Sequence, residues 1–490
     1  MKVLQNKIQN RRKFMTFKHS QLTLAENFSE CQDLFVSDTP TFFELLEEHI
    51  DLNEFIPVEF YYAFHLSLGR KRDYPLKGFL SALILQKILT IPTDSLLIIL
   101  LSLCTELRDF CGFTKVPDAP LFTRFRQTFQ PYLEIMFSNM VDYTEPICQT
   151  IDPYLASIYT YDTSGIELYV KENNPKYLNS LIKRLKSYYK DNDKVDPYKM
   201  AYGLMPSQAQ SSPDAKQMYI NGHFCYADKF SIITNGLGII RHITFFDDDF
   251  KKSHPDIEIE KKSDSPDEDK SIGDSSALKP VLQDFFKLHP DFHPSIFLGD
   301  SAFDTIETYS FLKHEFHFQK AVIPYNPRNE SVLKKVGYNE YGYPLCPNNS
   351  SLAMKYCGLC REKGRSDRIK WICPKVHMQK GLYVCDCKNP CSSAKKGRTT
   401  YTYENMDFRM FPGIQRDSDE WNMLYKIRGV VEQAINHLKI NMCIAGKKSR
   451  NHLTTKADVF LVGIASQFTV IIAHRLSCPQ YIRSLKPLVA

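Results

Sequence analysis

The sequence is poor in several features that would each have assigned it to a class. No apolar core follows the basic start MKVLQNKIQNRRKFMTFKHS, so a secretory leader is not expected. No apolar run reads as a membrane span. GFLSALILQKILTIPTDSLLIILLSLC is broken by Lys87, Pro92 and Asp94. VFLVGIASQFTVIIA is short and carries Gln467, which suits a buried core helix better. Charge of one sign is scarce: 62 Lys and Arg face 56 Asp and Glu, a net +6 over 490 residues. That balance points only weakly to a polyanionic partner. No internal repeat stands out, which argues against solenoids and propellers.

What remains is an ordinary globular composition, 43% apolar and 24% charged, long enough for two or three domains. The 14 cysteines are unevenly placed, with many between Cys346 and Cys391. Without an export signal, such a cluster points to metal or free thiols before disulfides.

The texture changes along the chain. A basic tail (1–27) precedes a stretch (28–150) whose apolar residues recur at three-four spacing, as in helices. Gly112 ends one helix there, and Asp118 with Pro120 starts the next. This helix–turn–helix outline offers Arg124 and Arg126 as DNA contacts. A plain helical corner with solvated arginines fits the same residues. From 151 to 326 the pattern becomes that of a mixed sheet. IYTYDTSGIELYV, QMYINGHFCYADKFSIITN, GIIRHITFF, SIFLGD and HFQKAVIPYN read as strands, and ALKPVLQDFFKLH reads as a helix. Asn235-Gly236 marks a turn. A polar Lys/Tyr-rich stretch runs to about 217, and 247–275 reads as a mobile acidic loop. A Cys-rich insertion (327–408) follows, and helices return over 409–480. The expected fold class is α+β and multidomain.

The stretch YKIRGVVEQAINHLK carries Tyr425, Arg428, Glu432 and Lys439. On an ideal helix their offsets fall at roughly 0°, 300°, 340° and 320°, one arc of about 60° beside an apolar back. Alone, Arg428 and Glu432 could be a solvated surface pair. Two aspartates add to them, Asp162 after SIYTY and Asp300 after SIFLG. Either one alone suits a turn or a cap. If the three acids converge they must bind protons or cations. Oxygen-only ligands select Mg²⁺ or Mn²⁺, and two such ions suit in-line phosphoryl displacement. Arg428 would grip phosphate in a fork and Lys439 as a point charge. Tyr425 would bond a phosphate oxygen or stack on a sugar.

The spacing Tyr-x2-Arg-x3-Glu-x6-Lys resembles the signature of a large branch of bacterial insertion-sequence DDE transposases. YDTSGIE and LGDSAFD are similar to that family's aspartate motifs, AVIPYNPRN to the strand after the second, and RDFCGFTKVPDAPLFTRFRQTF to its helical N-terminal region. The resemblance implies a ribonuclease-H-like catalytic domain interrupted before the glutamate helix. It implies catalytic, ion-holding Asp162, Asp300 and Glu432, two Mg²⁺ (or Mn²⁺) ions, and end-phosphate contacts from Tyr425, Arg428 and Lys439. Implied partners are double-stranded DNA, as transposon ends and target, and a second copy in a synaptic homodimer, with no membrane. The implied location is the cytoplasm, at the nucleoid. A nuclease without strand transfer, or a DNA-binding protein derived from an inactive copy, fits the same residues.

The insertion holds Cys346, Cys357-x2-Cys360, Cys373, His377, Cys385-x-Cys387 and Cys391. A Cys-x2-Cys knuckle near further cysteines suits tetrahedral Zn²⁺, which would replace a missing apolar core. Cys357, Cys360 and Cys373 are the expected ligands, with one or more of Cys385, Cys387 and Cys391. Reduced thiols in a small β-rich insert are the alternative. Basic residues outnumber acids here, which favours phosphate contact. Trp371 is either local core or a stacking platform for a base.

Overall fold

The computed structural model describes residues 41–65, 71–190, 195–220, 223–257, 272–326, 337–339, 343–403, 409, 413–416, 418–445 and 449–489. The basic tail, and the stretch 258–271 within the expected acidic loop, lie outside these.

Helix α1 (Leu76–Ile88), α2 (Asp94–Leu103) and α3 (Ala119–Ile151) dominate the N-terminal third. Thr93 caps α2 by accepting from the Leu96 amide. Gly112, at φ +67°, closes the short helix Thr105–Phe110, and Asp118 precedes α3 in extended backbone. Apolar residues of α3 from Phe122 to Cys148 are buried at helical spacing.

The central sheet has seven strands: β1 (Ile158–Glu167), β2 (Gln208–Ala209), β3 (Ser212–Ile220), β4 (His223–Asn235), β5 (Ile240–Phe245), β6 (Ile296–Leu298) and β7 (Lys320–Val322). The order is β2-β3-β4-β1-β6-β7, with β5 also paired to β4. β1 runs antiparallel to β4 and parallel to β6, and β6 is parallel to β7. The crossovers to β6 and β7 are made by α4 (Asp274–Leu288) and α5 (Ile306–His314). The fold is therefore mixed α/β.

Two expectations change, and one stretch without an assigned structure gains one. QMYINGHFCYADKFSIITN is two antiparallel strands, β3 and β4, with Ile220 opposite His223; the intervening Asn221-Gly222 is a two-residue hairpin sequence. The Lys/Tyr-rich stretch forms helices Pro175–Tyr188 and Pro197–Gly203. The expected acidic loop is ordered at both ends. Asp247 caps helix Asp248–Ser253, and Ile272 is buried ahead of α4.

The Cys-rich insertion is built from short strands: β8 (Leu345–Cys346), β9 (Asn349–Ala353), β10 (Lys355–Cys360), β11 (Arg368–Ile372), β12 (Val376–Gln379), β13 (Leu382–Cys385) and β14 (Thr399–Tyr403). They pair as β8-β9, β10-β11-β14 and β12-β13. Afterwards α6 (Asp419–Ile427), α7 (Gly429–Asn436) and α8 (His452–Arg475) complete the chain's main helices.

α8 is long and apolar enough to cross a membrane, with mean hydropathy 1.6, but 89% of that window is buried inside the protein. It packs along α3, α1 and β5. One apolar core runs through them from Phe42 to Leu485. Polar atoms cross this core as a set. Lys87 Nζ lies 2.8 Å from Asp458, and Arg126 pairs with Asp94 and lies 3.9 Å from Asp458. Arg126 is 1% exposed, which corrects its reading as a DNA contact: burial of a guanidinium demands the paired carboxylates it has.

Candidate active site

Parallel pairing sets the first two acids side by side. Thr160 is opposite Leu298, so Asp162 and Asp300 each stand two residues past the same rung. Asp162 belongs to the longer β1 and remains in its ladder with β4, opposite Ile232. Asp300 leaves its strand and caps a short 3-10 turn, accepting from the Ala302 amide at 2.7 Å. The Asp162 carboxylate accepts from the Thr163 amide at 2.8 Å. Burial pushes the Asp162 carboxyl up to about 6, against the Thr163 amide bond and Arg428; Asp300 and Asp274 raise it further.

The third acid arrives on α7, which packs over β1 and β4. Ser418 caps α6, and the chain passes through Arg428 into α7. Arg428 is 19% exposed and donates to Glu432 at 2.5 Å. Burial opposes its charge, but Glu432, Tyr425, Asp162 and Asp300 together hold it protonated. Arg428 is thus a shared electrostatic partner of all three acids. Trp421 stacks on Tyr425 at 4.9 Å, and Arg428 lies over the Tyr425 ring at 5.8 Å. Lys439 sits on a π turn, His437–Asn441, that follows α7. Burial lowers its pKa, while Cys225 and Asp162 oppose that shift. Of the Tyr-Arg-Glu-Lys residues, Arg428 and Lys439 interact with the aspartates, whereas Glu432 and Tyr425 are linked to them through Arg428.

The three carboxylates are not closed on one another. Among the described residues, Glu167, His223 and Cys225 are the group of potential ligands whose atoms lie within 4.8 Å. They stand at the far end of β1, with His223 and Glu167 exposed.

Two contributors were not foreseen. Asp274, at the start of α4, accepts from Thr163 Oγ1 at 2.7 Å and pairs with Lys229 at 2.8 Å, adding a carboxylate beside Asp162. It was hidden in the charged segment read as loop. Asp304 is fully buried between Arg409 (3.3 Å) and Arg416 (3.4 Å), and its carboxylate also accepts from Tyr309 and the Asn326 amide. This buried set ties the turn after Asp300 to the chain that leaves the insertion. Its arginines fall in the 409–480 stretch expected to be helical, but they precede α6, which begins at Asp419.

Elsewhere the expected residues separate. Arg124 is exposed on α3 and bonds the Pro120 carbonyl, so it stays available to a partner. Trp371 is 3% exposed, sits 5.0 Å from Tyr343, and donates to Thr402 Oγ1. It is the core of the β10-β11-β14 sheet, not a platform for a base. Cys357 and Cys360 lie on β10. The other five insertion cysteines line one cavity.

No curated protein matches this chain. Residues 30–128 match the family model described as Transposase domain (DUF772), a span that includes α1, α2 and the first part of α3. The match supports a transposase family for the chain.

Proposed function

We propose that this chain is a DDE-type DNA transposase that binds the terminal inverted repeats of its element and cuts and joins DNA strands. The observation that carries this reading is the juxtaposition of Asp162 and Asp300 on neighbouring parallel strands with the Arg428–Glu432 pair on the helix above. The strand order, with antiparallel β4-β1 leading into parallel β1-β6-β7, supports a ribonuclease-H-like catalytic domain.

The residues fit divalent ions. A buried carboxylate raised to about 6 beside a second carboxylate is short of positive charge, and the donors are all oxygen. Asp162, Asp300 and Glu432 would hold Mg²⁺ or Mn²⁺, which when bound supplies charge stabilisation to an in-line phosphoryl displacement. In the arrangement seen here, Arg428 neutralises Glu432. Catalysis requires Glu432 to turn off Arg428, which frees the guanidinium fork for a phosphate. Lys439, whose ammonium is weakened by burial, gains a phosphate partner at the same step. Tyr425, held flat by Trp421, lies beside that path. DNA is the partner, with two copies of the chain pairing two ends.

Asp300→Asn tests the reading. Strand cleavage of end-bearing DNA with Mg²⁺ should fall by several orders of magnitude, while binding of the same ends in a mobility shift stays within a few-fold of the parent. Full cleavage by that variant would remove Asp300 from the chemistry. Supplying pre-cut ends and a target plasmid separates strand transfer from simple hydrolysis: joined products support the transposase, and their absence with active cleavage supports a nuclease.

A further inference from the structure

We propose that the insertion carries a structural zinc site made by Cys346, Cys373, Cys385 and a fourth thiolate from the loop Cys387–Cys391. The sequence favoured the Cys357-x2-Cys360 knuckle, and the structure redirects the choice. Five thiols from separate segments line one cavity of about 150 Å³: Cys346 on β8, Cys373 just past β11, Cys385 ending β13, and Cys387 and Cys391 in the loop beyond. Cys357 and Cys360 do not line it. Cys357 faces Lys396 Nζ at 3.7 Å, and Cys360 pairs in register with Arg368 on β11.

The pairing explains why these cysteines share a cavity; among the described residues no three of their sulfurs lie within 4.8 Å of one another, so binding of the ion would draw them together. Cys385 is opposite Val376, so the β12-β13 hairpin returns its last cysteine to within a few residues of Cys373. Asp386 then donates its amide to the Lys375 carbonyl, which pins the start of the loop. Cys373 is buried. Gly397, at φ +64°, runs against the same thiol. A Cβ there would lie 2.6 Å from Cys373 Cβ and 3.4 Å from its sulfur. The backbone therefore closes on Cys373 as only glycine allows.

The surrounding strands need such a centre. The local apolar cluster is Tyr343, Met354, Ile369 and Trp371, all outside the β12-β13 hairpin. On that hairpin Met378 is 63% exposed and Leu382 67%. Val376 is buried at the base of the hairpin, but a two-stranded hairpin with its tip residues in water has little else to hold it in place. These cysteines are free thiols, so no disulfide supplies the cross-link. Soft sulfur donors select zinc over the hard ions of the catalytic carboxylates. Four thiols release four protons on binding Zn²⁺, which leaves the site with two net negative charges. Lys375 and Arg398 line the same cavity and offset them. The site stands apart from the DNA chemistry proposed above and does not depend on it.

The test uses the full-length chain, purified without chelator. Metal analysis should give about one zinc per chain. Reconstitution with Co²⁺ should give the strong charge-transfer bands of a tetrahedral thiolate site. Alkylation followed by peptide mapping, with and without a chelator, then identifies the ligands in the unsubstituted protein. Zinc should protect Cys346, Cys373, Cys385 and one of Cys387 or Cys391, and leave Cys357 and Cys360 equally reactive. Cys357→Ser with Cys360→Ser should retain the zinc, and Cys373→Ser should lose it. A chain without zinc that gives no cobalt thiolate bands would overturn the proposal. So would protection centred on Cys357 and Cys360.

Discussion

The buried set Lys87–Asp458–Arg126 makes a quantitative demand. Asp458 is 2% exposed and faces two cations, Lys87 at 2% and Arg126 at 1%. Arg126 retains Asp94 if Asp458 is lost, but Lys87 has its 2.8 Å contact with Asp458. Asp458→Asn keeps the shape and removes the charge, so an ammonium is left in the core without its counter-charge. Breaking a buried pair from one side costs about 3–5 kcal/mol. Replacing both partners at once is far milder, because no lone charge remains. Chemical denaturation of Asp458→Asn should therefore show a loss of about that size, and Lys87→Met combined with Asp458→Leu should recover most of it. An Asp458→Asn protein within about 0.5 kcal/mol of the parent would refute the reasoning, since that is the scale of a surface substitution. The same logic governs Arg126. Its replacement by Ala should cost stability first, with DNA affinity per folded molecule unchanged. Arg124→Ala, on the exposed face, is the variant that could alter DNA binding without unfolding.

Other consequences are direct. His452 lies 3.2 Å from Asp228 and 3.1 Å from Asp247; burial opposes its charge, but these carboxylates raise its pKa from 6.5 to about 10. Its contribution to stability is complete below about 6.5 and is lost as pH rises through about 10. Denaturation across that range should show a decline that His452→Gln removes; equal slopes in the two proteins would contradict it. Trp371→Ala should destabilise the insertion by about 3–5 kcal/mol as a core truncation, measured by proteolysis of that segment, whereas Trp371→Phe should leave DNA-end affinity intact. Gly413, at φ +74°, has no room for a side chain: a Cβ would lie 1.9 Å from the Gln319 carbonyl oxygen. Gly413→Ala should reduce soluble yield and lower the thermal midpoint, and a parent-like midpoint would count against that close approach.

What could be read in the sequence was local. Asp162 and Asp300 each follow an apolar strand, which the sequence shows, but that their strands pair in parallel and carry both to one edge is seen only in the structure. Arg126 was misread because its partners are remote. Three-four periodicity places it beside the apolar face of α3, but nothing near it announces a carboxylate arriving from α8. Lys87 and Asp458 are 371 positions apart, beyond any window of spacing. The break between β3 and β4 has no signal in the apolar pattern, because apolar residues continue on both sides of it and β4 is buried along nearly its whole length. The Cys-x2-Cys spacing gives no hint that both residues lie on β10, on either side of its irregularity at Gly358.

The Tyr-Arg-Glu-Lys spacing does not act through the helical wheel. That wheel assumed one unbroken helix through Lys439, yet the chain breaks step at Arg428 and again at the π turn His437–Asn441. A π turn rotates side chains less per residue than an α-helix does, so Lys439 cannot keep the angle calculated for it. It still interacts with Asp162. The spacing is therefore better understood as fixing distances along one rod laid over β1 than as fixing a face. Arg428 meets the acids where α6 hands over to α7, and Lys439 reaches Asp162 from the far end of the same rod. An insertion of one residue in α7 would disturb this placement more than an apolar exchange within it, because it would carry Lys439 away from Asp162 while Arg428 stayed in place.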